Sequence, residues 1–182
     1  MQSWYSSDRS TGLLVDTGIV RPLTGQTFVE SQVRDMEAHG FRAIWSQMPK
    51  PEYMRGVGKG SQRATRRVNL VGALHDGGLL AYEAPVLDAE HCPESAGVPP
   101  LYGLDLLSRD NGLFDSRSGA LYCLPVSFDA RNLNWPHGIR IFQCERSTGG
   151  HWLLGVDHWD KVDPSELRRV QSIRSSAGRP VV

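Results

Sequence analysis

The chain alternates short apolar runs with polar, glycine-containing segments, which is the pattern of many short strands joined by turns. The first apolar run, residues 12–15, predicts a buried strand. Two apolar runs around an Asp-Gly turn predict a hairpin over residues 68–87, and a similar pattern predicts another over residues 113–124. A further hairpin is predicted over residues 140–154. The pattern therefore favours a mainly β fold.

Two other segments have a different pattern. Over residues 26–39, apolar positions recur at helical spacing and charged positions occupy the opposite face, so we predict a helix that ends at Gly40. Residues 48–51, which contain two prolines, are expected to form a loop. The last twenty or so residues are basic and rich in serine, and we expect them to be loosely held.

Length and composition limit the classes of protein to consider. The 182 residues, of which 40% are hydrophobic, suit one globular domain with a core and room for an appendage. No apolar run is long enough to cross a bilayer, and the first residues show no secretion signal. A net charge of zero argues against a dedicated nucleic-acid binder. The three scattered cysteines fit reduced thiols, so we expect a cytoplasmic protein.

The most informative stretch is the end of the first strand, where Asp16-Thr17-Gly18 follows the apolar run directly. A carboxylate at the mouth of an apolar strand is costly unless it is hydrogen-bonded or shares a proton with a partner. Thr17 supplies a hydroxyl beside it, and Gly18 allows the backbone amides to fold back towards the carboxylate. Asp16 is therefore the first candidate for a reactive group.

A second informative stretch has glycines at alternate positions, Gly56, Gly58 and Gly60. They rule out a stable helix and weaken strand order, so the segment is either a mobile hairpin tip whose amides approach a ligand or a plain glycine loop. The basic residues around this segment either select a substrate with acidic side chains or simply form a solvated surface. They are Lys50, Arg55, Lys59, Arg63, Arg66 and Arg67.

Four features stand in one order along residues 11–125: the strand ending in Asp16-Thr17-Gly18, the glycine-rich segment, the hairpin over residues 68–87, and an apolar pair with glycine at residues 101–103 before a short helical pattern. This order resembles that of the retropepsins, the aspartic proteases of retroviruses and long-terminal-repeat retrotransposons. The resemblance implies a closed, barrel-like β domain with one or two short helices over residues 1–125. Residues 126–182 would then be a C-terminal extension with a β-hairpin and a basic, flexible tail.

The resemblance also implies the site. Asp16 would be catalytic with Thr17 and Gly18 beside it, and the glycine-rich hairpin tip would be a flap over the substrate, formed by Gly56, Val57, Gly58, Lys59 and Gly60. The mechanism needs two facing carboxylates, and the chain has no second Asp-Thr/Ser-Gly. The resemblance therefore implies an aspartic endopeptidase that is active as a homodimer and cleaves an extended polypeptide, such as a polyprotein. No cofactor, metal, nucleic acid or membrane is expected to take part.

Three alternatives differ in class. The chain could be a catalytically inactive dimer of the same fold that serves as an interaction or structural module, because Ile19 stands where the family usually has alanine. A zinc site would need to come from scattered residues without metal-ligand spacing, namely His91, Cys92, Cys123, Cys144 and His151. A serine or cysteine protease has no nucleophile in a recognisable context.

Overall fold

The computed structural model describes residues 12–56, 60–125, 127–128, 140–146 and 151–177, and these form a mainly β protein with three α-helices. The strands are β1 (Gly12–Val15), β2 (Ile44–Arg55), β3 (Ser61–Ala73), β4 (Leu79–Leu87), β5 (Leu101–Tyr102), β6 (Gly112–Asp115), β7 (Ala120–Cys123), β8 (Arg140–Gln143), β9 (Glu145–Arg146) and β10 (Trp152–Gly155). The helices are α1 (Gln26–Ala38), α2 (Leu104–Arg109) and α3 (Pro164–Ala177). Two 3₁₀ turns cover Pro93–Gly97 and Trp159–Lys161.

The first sheet contains the strand that leads to Asp16. Its order is β5-β1-β10-β9, with β1 parallel to β5 and antiparallel to β10. All four residues of β1 are buried, as expected for an apolar run with a strand on either side. The hairpin predicted over residues 140–154 is confirmed only in part: β9 and β10 pair with each other, whereas residues 140–143 form β8 of another sheet. Strands from both sides of residue 125 therefore share this sheet, while the domain boundary proposed there stays a prediction.

The second sheet, β2-β3-β4, contains two long hairpins. The predicted hairpin over residues 68–87 is confirmed as β3 and β4, and Gly77 adopts a φ of 83° in its turn. The prediction of a loop at residues 48–51 is wrong, because β2 runs through them. The pairing of β2 with β3 shifts register between Gln47 and Glu52, the interval that contains both prolines. Proline cannot donate a ladder hydrogen bond, so an edge strand tolerates it where the pairing is irregular.

The third sheet, β6-β7-β8, includes the hairpin predicted over residues 113–124. Gly119 has a φ of 75° in its turn, a conformation that favours glycine. The third strand, β8, pairs with β7 in antiparallel register, and the side chain of Phe142 is buried. Residues beyond 125 therefore complete this sheet as well.

The helix predicted over residues 26–39 is confirmed as α1. Its apolar face buries Phe28 against Tyr82 of β4, with ring centroids 6.2 Å apart in an edge-on arrangement. Gln32 on the same face donates a hydrogen bond of 2.8 Å to the carbonyl of Val71 in β3. Helix α1 therefore packs on the second sheet, which explains why the side chains on the apolar face of the helix are buried.

Most of the tail that is expected to be loosely held forms helix α3, and how firmly it is held stays a prediction. The amide of Ser165 donates a hydrogen bond of 2.7 Å to the Asp163 carboxylate before the helix, and Pro164 occupies the first helical position. Within the helix, Arg169 forms an ion pair with Glu166. Nε2 of Gln171 donates a bond of 2.9 Å to the carbonyl of His39, which connects α3 to the end of α1.

The closed, barrel-like arrangement is also wrong, since the described residues form three separate sheets and none closes on itself. The larger apolar cluster packs α1 on the second sheet and continues to the third, with Val68, Tyr82 and Leu121 as members. A smaller cluster lies beside β1 and includes Leu14 and Leu101. None of the helices described here is long and apolar enough to span a membrane.

Candidate functional site

Asp16 lies at the point where β1 leaves the first sheet. The strand before it is held on both sides, because Leu14 is in register with Leu101 of β5 and with Leu153 of β10. Burial then decreases abruptly: Val15 is buried, Asp16 is half-buried and Thr17 is exposed. The fold therefore delivers the Asp16 carboxylate to the surface from a fixed, buried strand.

The turn after β1 holds one oxygen of that carboxylate. The amide of Gly18 donates a hydrogen bond of 2.8 Å to Oδ1 of Asp16, and the amide of Ile19 lies 3.4 Å from the Asp16 carbonyl oxygen. A Cβ at position 18 would lie 3.1 Å from the same Oδ1 atom, so glycine allows the close approach. Within the described part of the chain, no basic side chain is paired with Asp16. The carboxylate is oriented by a backbone amide rather than neutralised by a cation.

The apolar pair and glycine at residues 101–103, with the helix that follows, contact the Asp16 turn. The amide of Asp16 donates a hydrogen bond of 3.2 Å to the carbonyl of Tyr102, at the end of β5. After Gly103, the first amides of α2 point back at the loop that follows Asp16. The amide of Leu104 donates to the carbonyl of Ile19 over 2.9 Å, and that of Asp105 donates to the carbonyl of Val20 over 2.9 Å. Hydrogen bonds between two segments far apart in sequence therefore fix both of them beside Asp16.

Sequence reasoning missed one interaction here. The hydroxyl of Tyr102 donates a short hydrogen bond to the carboxylate of Asp110, and Arg109 forms two bonds of 2.7 and 2.8 Å with the same carboxylate. Burial, with the contribution of Asp110, holds the pKa of Tyr102 well above its usual range, so the phenol stays a neutral donor. The sequence signal that points to this interaction is a tyrosine at an otherwise apolar position, because a buried hydroxyl requires a hydrogen-bond partner.

The glycine-rich segment is the tip of the hairpin between β2 and β3. Gly56 and Gly60 have φ values of 85° and 73°, and a Cβ at either position would meet nothing within 4 Å. These glycines serve the backbone conformation rather than close packing. Of the predicted flap residues, Val57, Gly58 and Lys59 lie outside the described residues. In the part of the chain that the structure describes, no hydrogen bond joins Gly56 or Gly60 to Asp16.

The body of this hairpin is nevertheless connected to the Asp16 turn. Met54 of β2 and Ile19 pack against the same small apolar cluster beside β1. Oε2 of Glu52 lies 3.7 Å from Nη1 of Arg21 in the loop after Asp16, and its Oε1 lies 3.1 Å from Nη2 of Arg67. These contacts place the part of the hairpin nearest its tip next to the candidate catalytic turn.

Two of the three cysteines, Cys123 and Cys144, have the properties of structural residues. Burial raises the pKa of Cys123 to about 11 and that of Cys144 to about 12, so both thiols are neutral at pH 7. A neutral thiol is a poor nucleophile. Among the described residues, no three His, Cys, Asp or Glu side chains converge in a way that could hold a metal ion.

Comparison with known proteins adds no relative. Protein-family models, curated proteins and solved structures were each searched, and none of the three comparisons finds a match.

Proposed function

We propose that the protein is an aspartic endopeptidase of the retropepsin type, with Asp16 as its catalytic residue. The observation that supports this is the turn after β1. Asp16 lies at the exposed end of a buried strand, and the Gly18 amide orients one oxygen of its carboxylate. The backbone of Tyr102 and Gly103 packs directly behind this turn. The order of these segments is the one that suggested the retropepsin resemblance in the sequence.

The active form is a homodimer. In an aspartic protease two carboxylates about 3 Å apart share one proton, because both cannot be ionised at that distance. Other aspartates in the described chain have separate roles. Asp115 accepts hydrogen bonds from the amide of Arg117 and the hydroxyl of Ser118 in its own turn, and Asp76 is paired with Arg140. The second carboxylate is therefore Asp16 of another copy, on a two-fold axis.

In this dimer the ionised Asp16 takes a proton from water, and the protonated Asp16 of the partner donates to the carbonyl oxygen of the scissile bond. The exposed Thr17 hydroxyl supports the pair across the axis, and the Gly18 amide fixes the plane of the carboxylate. The hairpin of β2 and β3 closes over an extended polypeptide bound as an added strand. The substrate is a polypeptide such as a polyprotein, the setting is the cytoplasm, and no cofactor takes part.

The test is cleavage of an unfolded protein or peptide library by wild type, Asp16→Asn and Asp105→Asn. Asp105 is an exposed aspartate close to the site, so its substitution makes the same charge change without touching the proposed pair. We expect Asp16→Asn to lower the cleavage rate at least about 100-fold and Asp105→Asn to leave it near wild type. Because each active site needs two chains, the specific activity should fall on dilution together with the dimer fraction measured by analytical ultracentrifugation.

Cleavage that survives in Asp16→Asn would overturn the proposal. A folded dimer that cleaves nothing between mildly acidic and neutral pH would also overturn it, and would favour the inactive interaction module instead.

A further inference from the structure

Basic residues are concentrated in one hairpin of this neutral chain. Residues 42–67 contain seven of the 20 Lys and Arg residues but only one of the 20 Asp and Glu residues, a net charge of +6 at pH 7. The segment runs from just before β2, through the tip of the hairpin, to the middle of β3. Such a concentration within a protein of zero net charge creates a local positive potential.

The register of the hairpin brings several of these residues to one face. Arg63 lies directly opposite Tyr53, so their side chains share a face. In the pairing of β3 with β4, the register shift between Ala64 and Arg66 inserts one residue, which brings Arg66 to the same face as Arg63. The Arg66 guanidinium lies 4.9 Å from the ring centroid of Trp45. We call this surface the basic face, and its members are Trp45, Tyr53, Arg55, Arg63 and Arg66.

Among the described residues, the guanidinium groups of the basic face have no acidic partner. In the part of the chain that the structure describes, Arg55, Arg63 and Arg66 form no ion pair, and Nε of Arg63 is buried without a hydrogen-bond partner. Arg67 provides a contrast on the opposite face, where it pairs with Glu52 at 3.1 Å and with Glu83 at 3.8 Å. The aromatic members are open to solvent, with Tyr53 65% and Trp45 42% exposed.

In the part of the chain that the structure describes, the same hairpin also has an unpaired backbone edge. Within the described residues β2 pairs only with β3, so its outer edge carries N–H and C=O groups that no strand of this sheet satisfies. An extended polypeptide can use such an edge for main-chain hydrogen bonds while its side chains contact the neighbouring face. Unpaired guanidinium groups beside the edge select carboxylate side chains.

We propose that the basic face, together with the edge of β2, binds an acidic and extended segment of polypeptide away from the bond that is cleaved. The inference rests on the proposed function only in taking this polypeptide to be the substrate. The observations favour a polypeptide over a single-stranded nucleic acid for two reasons. The strand edge offers backbone pairing that a nucleic acid cannot use, and Arg66 lies over one side of the Trp45 ring, which reduces the aromatic surface of this face on which bases could stack.

The experiment measures binding to the full-length Asp16→Asn chain, in which the proposed cleavage cannot consume the probe. The probes are a fluorescein-labelled peptide of alternating Glu and Thr, the matched peptide with Gln in place of Glu, and a labelled oligothymidylate. Fluorescence anisotropy is recorded at low and at physiological ionic strength. Two further chains carry Arg63→Gln with Arg66→Gln, or Arg168→Gln as a matched loss of an exposed arginine on α3. A third, Arg63→Lys with Arg66→Lys, restores the charge.

We expect the Glu peptide to bind about tenfold more tightly than the Gln peptide at low ionic strength, with a smaller ratio in more salt. The double Gln variant should lose most of this ratio, the Lys variant should recover part of it, and Arg168→Gln should keep it. Equal affinities for the two peptides, or tighter binding of oligothymidylate than of the Glu peptide, would overturn the inference.

Separate cleavage of a neutral substrate distinguishes the two proposals. If the wild type cleaves that substrate through Asp16 while the two peptides bind equally, the proposed peptidase activity is retained and the proposed site for an acidic segment is rejected. If the Glu peptide is preferred but no substrate is cleaved, the binding site stands and its description as a substrate site falls.

Discussion

The amide of Asp16 donates a hydrogen bond of 3.2 Å to the carbonyl of Tyr102, and this bond joins the two segments that the candidate site needs. Asp16 ends the buried strand β1, whereas Tyr102 ends β5, which runs parallel to it. Gly103 then brings the chain close to the loop after Asp16, so that the first turn of α2 can donate hydrogen bonds to Ile19 and Val20. The position of the Asp16 carboxylate therefore depends on a contact between distant parts of the chain.

Gly103→Ala should disturb this contact. A Cβ at position 103 would lie 2.8 Å from the carbonyl oxygen of Ile19 and 3.1 Å from that of Val20, so the two segments must separate. We expect a loss of about 1–3 kcal/mol in the free energy of unfolding, measured by urea denaturation, together with reduced peptide cleavage. Gly97→Ala is the control, because a Cβ there meets nothing within 4 Å. Equal effects of the two substitutions would show that the contact at Gly103 is unimportant.

The turn at Asp16 and several hairpins could be predicted from the sequence because their causes are local. Asp16, Gly18, Gly77 and Gly119 act through turn chemistry within a few residues, and α1 shows a helical period. The partner of Tyr102 could not be predicted, because Asp110 reaches it only after α2 has formed.

The errors also have physical causes. The basic, serine-rich composition of the tail suggests a loosely held segment, but its capping residues favour helix α3. Asp163 precedes a proline at the first helical position, and Glu166 forms an ion pair with Arg169 one turn later. The pairing of β10 with β1 joins strands from the two ends of the chain, and no local pattern specifies such a neighbour. The predicted closed barrel failed for the same reason, since closure depends on long-range pairing.

Tyr102→Phe should change the dependence of stability on alkaline pH. Burial and the hydrogen bond to Asp110 raise the pKa of Tyr102 above its ordinary value of 10.0, so the folded chain keeps the proton that the unfolded chain releases. The contribution of Tyr102 is therefore fully present below pH 10 and is lost as pH rises further. The wild type should lose up to about 1.4 kcal/mol more per pH unit than the variant above pH 10.

The measurement is urea unfolding of both chains from pH 8 to the highest pH at which the wild type stays folded. At pH 8 the variant should be less stable by about 1 kcal/mol, since it loses one hydrogen-bond donor. Tyr53→Phe, at a 65% exposed position, is the control and should leave the alkaline decline unchanged. Parallel curves for wild type and Tyr102→Phe would contradict the prediction.

The ion pair between Asp76 and Arg140 should contribute modestly and only above acidic pH. Nε and Nη2 of Arg140 lie 2.6 and 2.8 Å from the two carboxylate oxygens. Partial burial alone would raise the pKa of Asp76, but the hydrogen bonds from Arg140 and from the Gly78 amide outweigh it, and the pKa is lowered. Stability from this shift is present above the ordinary value of 3.8 and is lost as pH falls through the lowered pKa.

A double-mutant cycle with Asp76→Asn and Arg140→Gln should therefore give a coupling energy of about 0.5–1 kcal/mol at pH 7, a small value because both side chains are partly exposed. The same cycle in acid, well below the lowered pKa of Asp76, should give a coupling near zero. A coupling that persists in acid would assign the effect to packing, for which the contact of Arg140 with Phe142, 4.8 Å from the guanidinium to the ring centroid, is the obvious source.

The last prediction concerns how much of the chain is needed to hold β1, and hence Asp16. In the first sheet β10 lies directly beside β1, with Leu13 in register with Leu154 and Leu14 in register with Leu153, and all four side chains are buried. Exposing a leucine of this kind costs about 1.5–3 kcal/mol, and a domain is stable by only about 5–15 kcal/mol in total. A chain that ends at residue 125 should therefore fail to fold, as seen by dispersion in an NMR spectrum and by circular dichroism.

A chain that ends at residue 177 keeps every described strand and should fold normally, and Leu154→Ala in the full chain should lower stability by about 2–5 kcal/mol. A folded and cooperative chain of residues 1–125 would mean instead that β1 can find another neighbour and that the proposed boundary at residue 125 separates an autonomous domain. If the prediction holds, the C-terminal strand is part of the structure that positions the catalytic candidate, because Asp16 begins where the pairing of β1 with β10 ends.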